Sequence, residues 1–310
     1  MDINAVFEGG GVKGISLAGA VQAAEQAGVS FKQVAGTSSG SIISALLTAG
    51  YSGEEMGRII RGTSFTSFLK RAPLYNTPIM GPALRVMLKK GLYSGEALES
   101  WIREHLRRKG IVTFRDLPSG KLSIIASDIT NGRIVVLPEG LKDYGISPEN
   151  FEVAKAVRMS CSIPYFFDPV MLRLSGRLTK GRTFSEQFVY MVDGGLLSNF
   201  PLWLFDDESG ALGAGSSRVP TVGFQMIGKT DPQPHRITGP FTMLQAMVET
   251  MLTAHDERYI EEEKFVRTVK IPNLGVSTTQ FEISKVQSDE LYAAGLKAGE
   301  KFFREWRPNR

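Results

Sequence analysis

Gly9-Gly10-Gly11-Val12-Lys13-Gly14 and Gly36-Thr37-Ser38-Ser39-Gly40 stand within the first forty residues, and their pairing decides how the chain is read. The second stretch fits G-x-S-x-G, a sharp strand-to-helix turn that lifts a serine hydroxyl out of a sheet. Its flanking glycines, Gly36 and Gly40, let the backbone bend where a Cβ would clash. The first stretch clusters backbone N–H groups with little side-chain bulk. Acyl transfer needs both parts, because the carbonyl oxygen under attack becomes an oxyanion that must find donors in place. Ser38 is the candidate nucleophile, and Gly10, Gly11 and the amide of Ser39 are the candidate oxyanion donors.

A competing reading exists for the glycine run. Gly9, Gly11 and Gly14 satisfy G-x-G-x-x-G between the strand-like Ile3–Phe7 and a helical stretch that runs to Ala27, which is the setting of a dinucleotide-binding turn. Glu8 would then put a carboxylate beside the pyrophosphate, and Val34-Ala35-Gly36 stands where that fold needs an acid after its second strand. A non-catalytic nucleotide-binding module is kept as an alternative.

A serine hydroxyl needs a base. The chain has three histidines: His105 in a charged amphipathic helix, His235 in a loop between prolines and an arginine, and His255 among charges in a helix. A Ser-His-Asp arrangement through His255 or His235 is the second alternative. The favoured base is Asp193, which the apolar run Val189–Val192 delivers into the turn Gly194-Gly195, because strand ends are where α/β sheets place their chemistry. A plain turn at the end of a strand is the competing explanation of that tripeptide.

Taken with Ser160-Cys161-Ser162-Ile163-Pro164-Tyr165-Phe166-Phe167, these motifs make the chain resemble the patatin-like phospholipases over about residues 3–205. The resemblance implies a Ser38-Asp193 dyad without histidine, an acyl-enzyme intermediate, and hydrolysis of acyl esters of phospholipids or other lipids. It implies no metal and no organic cofactor, and no calcium-loop pattern occurs. Where many relatives carry arginine this chain has Lys13, so a bidentate guanidinium is lacking there. An ordinary aspartate titrates near ~3.9 and is a weak acceptor for a serine proton, so such a dyad requires a carboxylate raised by burial.

The expected fold is α/β: a mixed, mainly parallel sheet covered by helices on both faces, a patatin-like three-layer sandwich. Strands are expected at Ile3–Phe7, Gln33–Ala35, Leu122–Ala126, Val135–Leu137, Val170–Leu174, Phe188–Val192 and Thr221–Ile227. Helices are expected at Ser38–Ala49, Phe151–Met159, Phe241–Glu263 and Ser284–Arg304. Residues 1–310 read as one catalytic domain, with 219–304 completing the motif-bearing core.

Asp128, before Thr130-Asn131-Gly132, reads as the anchor of its own turn, and Glu8 as an anchor for neighbouring backbone. Cys161 is the single cysteine, so no intramolecular disulfide forms, and its apolar surroundings suit packing near an acyl pocket. Pro164 reads as ending the helix before it and turning Phe166 and Phe167 inward.

With 42% hydrophobic and 22% charged residues and a net charge of +4, the composition is that of a globular chain. Neither a leader nor a membrane-length apolar run is seen, which sets the expectation of a soluble cytoplasmic protein in peripheral contact with a membrane. No nucleic-acid motif is present. The cations and aromatics of Ser64–Lys90 and the basic turn Arg173–Arg182 are the expected interfacial surface, and Asp206–Arg218 is expected to be a loop.

Overall fold

The computed structural model describes residues 1–69, 90–206, 219–228, 237–239, 242–244, 246–248, 250–251, 267–278 and 280–306. The chain enters β1 (Asp2–Phe7), turns through a short 3-10 helix at Gly11–Gly14 and continues as α1 (Ile15–Gln26). Next come β2 (Ser30–Thr37), α2 (Ser39–Thr48) and α3 (Gly53–Arg61). The helix α3 starts at a Ser52–Glu55 capping box, each partner satisfying the other's backbone N–H.

After β3 (Gly91–Tyr93) and α4 (Glu96–Arg108) come β4 (Leu122–Asp128), β5 (Arg133–Leu137) and α5 (Val153–Ser160). The remaining elements are β6 (Tyr165–Phe167), β7 (Val170–Arg173), β8 (Phe188–Asp193), β9 (Thr221–Ile227), β10 (Thr268–Pro272) and α6 (Lys285–Glu305). The strand expected at Thr221–Ile227 is found with those bounds. Pro164 does not itself stop a helix, since α5 ends at Ser160. The helix expected over Phe241–Glu263 and the loop over Asp206–Arg218 lie for the most part outside the described residues.

Eight strands form one sheet in the order β10-β9-β1-β2-β4-β8-β7, with β5 also on β4, and β3 pairs with β6 separately. The run β10-β9-β1-β2-β4 is parallel, whereas β5, β7 and β8 join antiparallel. This is the mixed, mainly parallel α/β sheet of the expected class. Alternation along the strands separates two cores. Ile3, Ala5, Phe7, Val34 and Ile124 pack with α1 to α6 in the larger one. Val6, Ala35 and Ile125 face the other way, onto Leu202 and Leu204 of a 3-10 turn.

The register on β4 sets up the site. β5 occupies one side of β4 from Ile124 to Asp128, so β2 and β8 must share the other. β2 uses it up to the pair Thr37–Ile125, and β8 takes over at Asp193–Ala126. Two strands running toward each other therefore meet end to end along one edge of β4. The residue that follows β2 is brought against the last residue of β8, although they are 155 positions apart in sequence.

Candidate active site

Ser38 sits at the junction of β2 and α2 with φ 51° and ψ −124°. That backbone region is costly for a residue with a Cβ and persists only where the surroundings enforce it. Gly36 and Gly40 enforce it by close approach: a Cβ on Gly36 would lie 2.3 Å from the Gly40 carbonyl oxygen, and one on Gly40 would lie 2.3 Å from that of Phe7. The Ser38 N–H donates to Ser160 Oγ at 2.9 Å, and that hydroxyl donates to the Ile125 carbonyl at 2.5 Å.

The Ser38 hydroxyl donates to Asp193 Oδ2 at 2.7 Å, while Asp193 Oδ1 accepts the Gly195 N–H at 2.8 Å. Gly194 and Gly195 thus turn the chain so that one carboxylate oxygen is held by backbone and the other faces the serine. Asp193 is 1% exposed. Burial pushes its carboxyl up to about 7, against the pull of the Ser38 hydroxyl and the Gly195 N–H toward the charged form. The carboxylate is therefore poised near neutral pH, which answers the difficulty posed by an ordinary aspartate.

The glycine run crosses the same junction. Gly9 donates to the Asn199 carbonyl at 3.1 Å and accepts from the Asn199 carboxamide at 3.1 Å. The Gly10 N–H is taken up by Ser39 Oγ at 3.0 Å, and a Cβ on Gly14 would meet the Ser39 side chain. Gly11 opens the 3-10 turn at φ 58°, and Ser39 is the first residue of α2. Helix starts leave their first N–H groups without an intrahelical acceptor, so Gly11 and Ser39 both bring such donors to the edge of one cleft.

That cleft runs from Gly11, Ser38 and Ser39 to an apolar wall that includes Ile60, Phe68 and Trp101. No charged side chain lines it among the described residues. Trp101 is pinned by its indole N–H to Thr63 Oγ1 at 3.2 Å and by edge-on contact with Phe68.

Several expectations change here. Phe65 and Phe68 were expected on an interfacial surface. They turn inward and line the cleft, their three-residue spacing putting both on one side of a 3-10 turn, and residues 70–89 of that segment lie outside the described residues. His235 and His255 also lie outside them. His105 is packed edge-on against Trp101 and Tyr51, and burial lowers its pKa.

Asp128 anchors its own turn through the N–H groups of Thr130 and Asn131, and also accepts from the Tyr144 hydroxyl at 2.7 Å. The Glu8 anchor is remote rather than local, since its carboxylate accepts the Met226 N–H of β9 at 2.6 Å. Cys161 lines the cleft with its thiol pushed far up by burial and then by the Asp193 charge, so it is held as an inert thiol.

The serines beside Cys161 do more than Cys161 itself. Ser160 holds the Ser38 N–H, and the Ser162 carbonyl accepts the Asp193 N–H at 2.9 Å. The Arg158 guanidinium, 2% exposed, donates to the Ser162 hydroxyl and to the carbonyls of Ser94 and Asp168, both at 2.8 Å. Ser38 and Asp193 are thus both fixed from one short segment. The signal in sequence was a pair of hydroxyls inside an otherwise apolar stretch.

Replacing Ser160 with alanine leaves the buried Ser38 N–H without its acceptor. The expected result is a loss of about 1–3 kcal/mol in stability. With the nucleophile less firmly held, kcat is expected to fall by up to about 10² with little change in KM. Urea denaturation and steady-state ester hydrolysis check the two effects separately.

A family model described as patatin-like phospholipase matches residues 5–206. The chain belongs to that family. An uncharacterized Bacillus subtilis (strain 168) protein, YqhO, is 39% identical over 99% of this chain and 99% of its own length. A probable lipid hydrolase of invertebrate iridescent virus 6 is 27% identical over 64% of this chain and 61% of that protein. The crystal structure of VipD from Legionella pneumophila superposes with a TM-score of 0.55 at 16% identity, over 97% of this chain and 66% of that one, and supports the fold. Membership of the patatin-like phospholipase family supports a lipid hydrolase activity. The family match ends at residue 206, but β9 pairs directly with β1 and β10 with β9, so the sheet extends beyond it.

Proposed function

We propose that the chain is a serine acyl hydrolase of phospholipids or related acyl lipids, with Ser38 as nucleophile and Asp193 as general base. The observation that carries this reading is the buried 2.7 Å contact between Asp193 and the hydroxyl of Ser38, a residue that lines an apolar cleft. Residues 1–310 act as one catalytic unit in this reading, because β9, β10 and α6 complete the sheet and core that hold β1.

In the first half-reaction Ser38 Oγ attacks the acyl carbonyl carbon as its proton passes to Asp193 Oδ2. The oxyanion is met by the N–H groups of Gly11 and Ser39, with the N-terminal end of α2 adding its positive dipole. Gly10 serves by holding the Ser39 side chain. Collapse breaks the bond to the alcohol oxygen, which takes the proton from Asp193, and leaves the acyl group on Ser38. Asp193 then deprotonates water for the reverse sequence, which frees the fatty acid and restores Ser38.

The cleft suits the acyl chain rather than the head group, since its wall carries no charge among the described residues. Intact-mass analysis after a fluorophosphonate probe, run alongside fatty-acid release from phospholipid vesicles, tests the reading. One adduct on the wild type, absent from Ser38→Ala, together with release by the wild type alone, is the expected result. A folded wild type that neither labels nor releases fatty acid overturns it.

A further inference from the structure

Because β8 abuts the carboxyl end of β2 along β4, the β7–β8 hairpin stands beyond the carboxyl ends of the parallel strands, on the edge where Ser38 emerges. Residues 174–187 join its two strands and are mostly exposed. Phe184 is 71% exposed, Met171 54% and Leu178 39%. Other exposed apolar side chains follow the same edge: Ile129 comes just after β4, and Ile227 ends β9. Scattered exposed apolar residues are ordinary, but a group of them along the carboxyl edge of one sheet is not.

The same hairpin is cationic. Arg173, Arg177, Lys180 and Arg182 are exposed, and the Arg173 guanidinium lies over the rings of Phe184 and Phe188 at 5.8 and 5.9 Å. Between Arg173 and Phe188 the only acidic residue is Glu186, whose carboxylate is occupied by the Thr183 N–H at 2.8 Å. Arg182 lies near Glu186 and donates to its carbonyl, which leaves the hairpin with four cations against one carboxylate. Apolar tips set among such an excess of cations match a surface that is negative outside and apolar beneath.

We propose that the hairpin of residues 170–188 is a docking element that seats the carboxyl edge of the sheet on a bilayer containing anionic lipid. What docking delivers rests on the acyl-hydrolase reading, but docking itself needs no turnover. The test is therefore run on the full chain carrying Ser38→Ala, by co-sedimentation with vesicles of phosphatidylcholine alone or with about one third phosphatidylglycerol.

Binding is expected on the anionic vesicles, with a partition coefficient well above that on phosphatidylcholine. Exchanging Arg177, Lys180 and Arg182 together for glutamine is expected to lower it by about 10², from about fivefold per cation. Replacing Phe184 and Leu178 by serine is expected to lower it about tenfold. With Ser38 intact, the same hairpin variants keep hydrolysis of a soluble short-chain ester within about twofold, which shows that they fold, and lose activity on vesicles in step with binding.

No binding by the parent chain, equal binding to both compositions, or unchanged binding by the hairpin variants overturns the proposal. Hairpin-dependent binding without hydrolysis of any ester would sustain it and sink the acyl-hydrolase reading instead.

Discussion

Ser38→Ala is expected to lower kcat for ester hydrolysis by about 10⁴ or more, and Asp193→Asn to come close to it, with KM little changed in either. Without the serine Oγ no acyl-enzyme forms. The two oxygens of Asp193 have different tasks. Oδ1 is held by the Gly195 N–H, and Oδ2 faces the Ser38 hydroxyl. An asparagine carboxamide keeps the shape and can still accept from Gly195, but presents an N–H₂ to the serine and cannot take its proton. A loss confined to kcat is the mark of an interaction made in the transition state. Residues acting as one unit are not additive, so the double variant should fall no lower than Ser38→Ala alone. If His255 or His235 were the base, Asp193→Asn would keep most of its activity and the corresponding histidine variant would lose it. Steady-state kinetics on a soluble ester for the four single variants and the double variant decide between them.

Most of the geometry around Ser38 was legible because its parts are local. The Gly36 and Gly40 approaches that force the Ser38 backbone lie within one strand-turn-helix unit, and so does the glycine turn after Asp193. Thr221–Ile227 was readable because its apolar run stands clear of neighbouring helical pattern. β10 was not, since Thr268–Pro272 carries Lys270 and ends in a proline, features that suit the edge of a sheet but make a weak strand signal. β3 and β6 span three residues each, too few to show alternation.

What sequence could not supply was geometry between distant segments. That β2 and β8 share one side of β4 follows from β5 occupying the other, a fact of register with no local signature. The same holds for Glu8, whose acceptor role links β1 to β9, and for Ser160, whose hydroxyl reads as a filler in an apolar segment until Ser38 is placed beside it. Phe65 and Phe68 show the converse error. Aromatics among cations suggest a surface, yet the cleft needs a wall, and the exposed aromatic tip is Phe184.

The raised Asp193 pKa is expected to cost stability where it gives activity, and Asp193→Asn should therefore be the more stable protein at neutral and alkaline pH. The carboxyl is pushed from 3.8 to about 7 by burial, so the folded chain holds its proton at pH values where the unfolded chain has lost it. A folded state that binds more protons loses stability as pH rises between those two values, and the loss is complete above the higher one. Roughly three units correspond to about 4 kcal/mol at pH 8, shrinking to almost nothing near pH 4. Asparagine carries no such charge, and its carboxamide can both accept from Gly195 and donate to Ser38 Oγ. Other carboxylates titrate over the same range, but they are common to both proteins and drop out of the difference. Urea denaturation of wild type and Asp193→Asn from pH 4 to 9 should show a gap that opens toward about pH 7 and then stays level. Over the same interval wild-type kcat/KM should rise with an apparent pKa near 7, falling about tenfold for each unit below it, because only the carboxylate accepts the Ser38 proton. A gap independent of pH would mean that the Asp193 carboxyl is not held above its ordinary range. The dyad would then need another source of basicity.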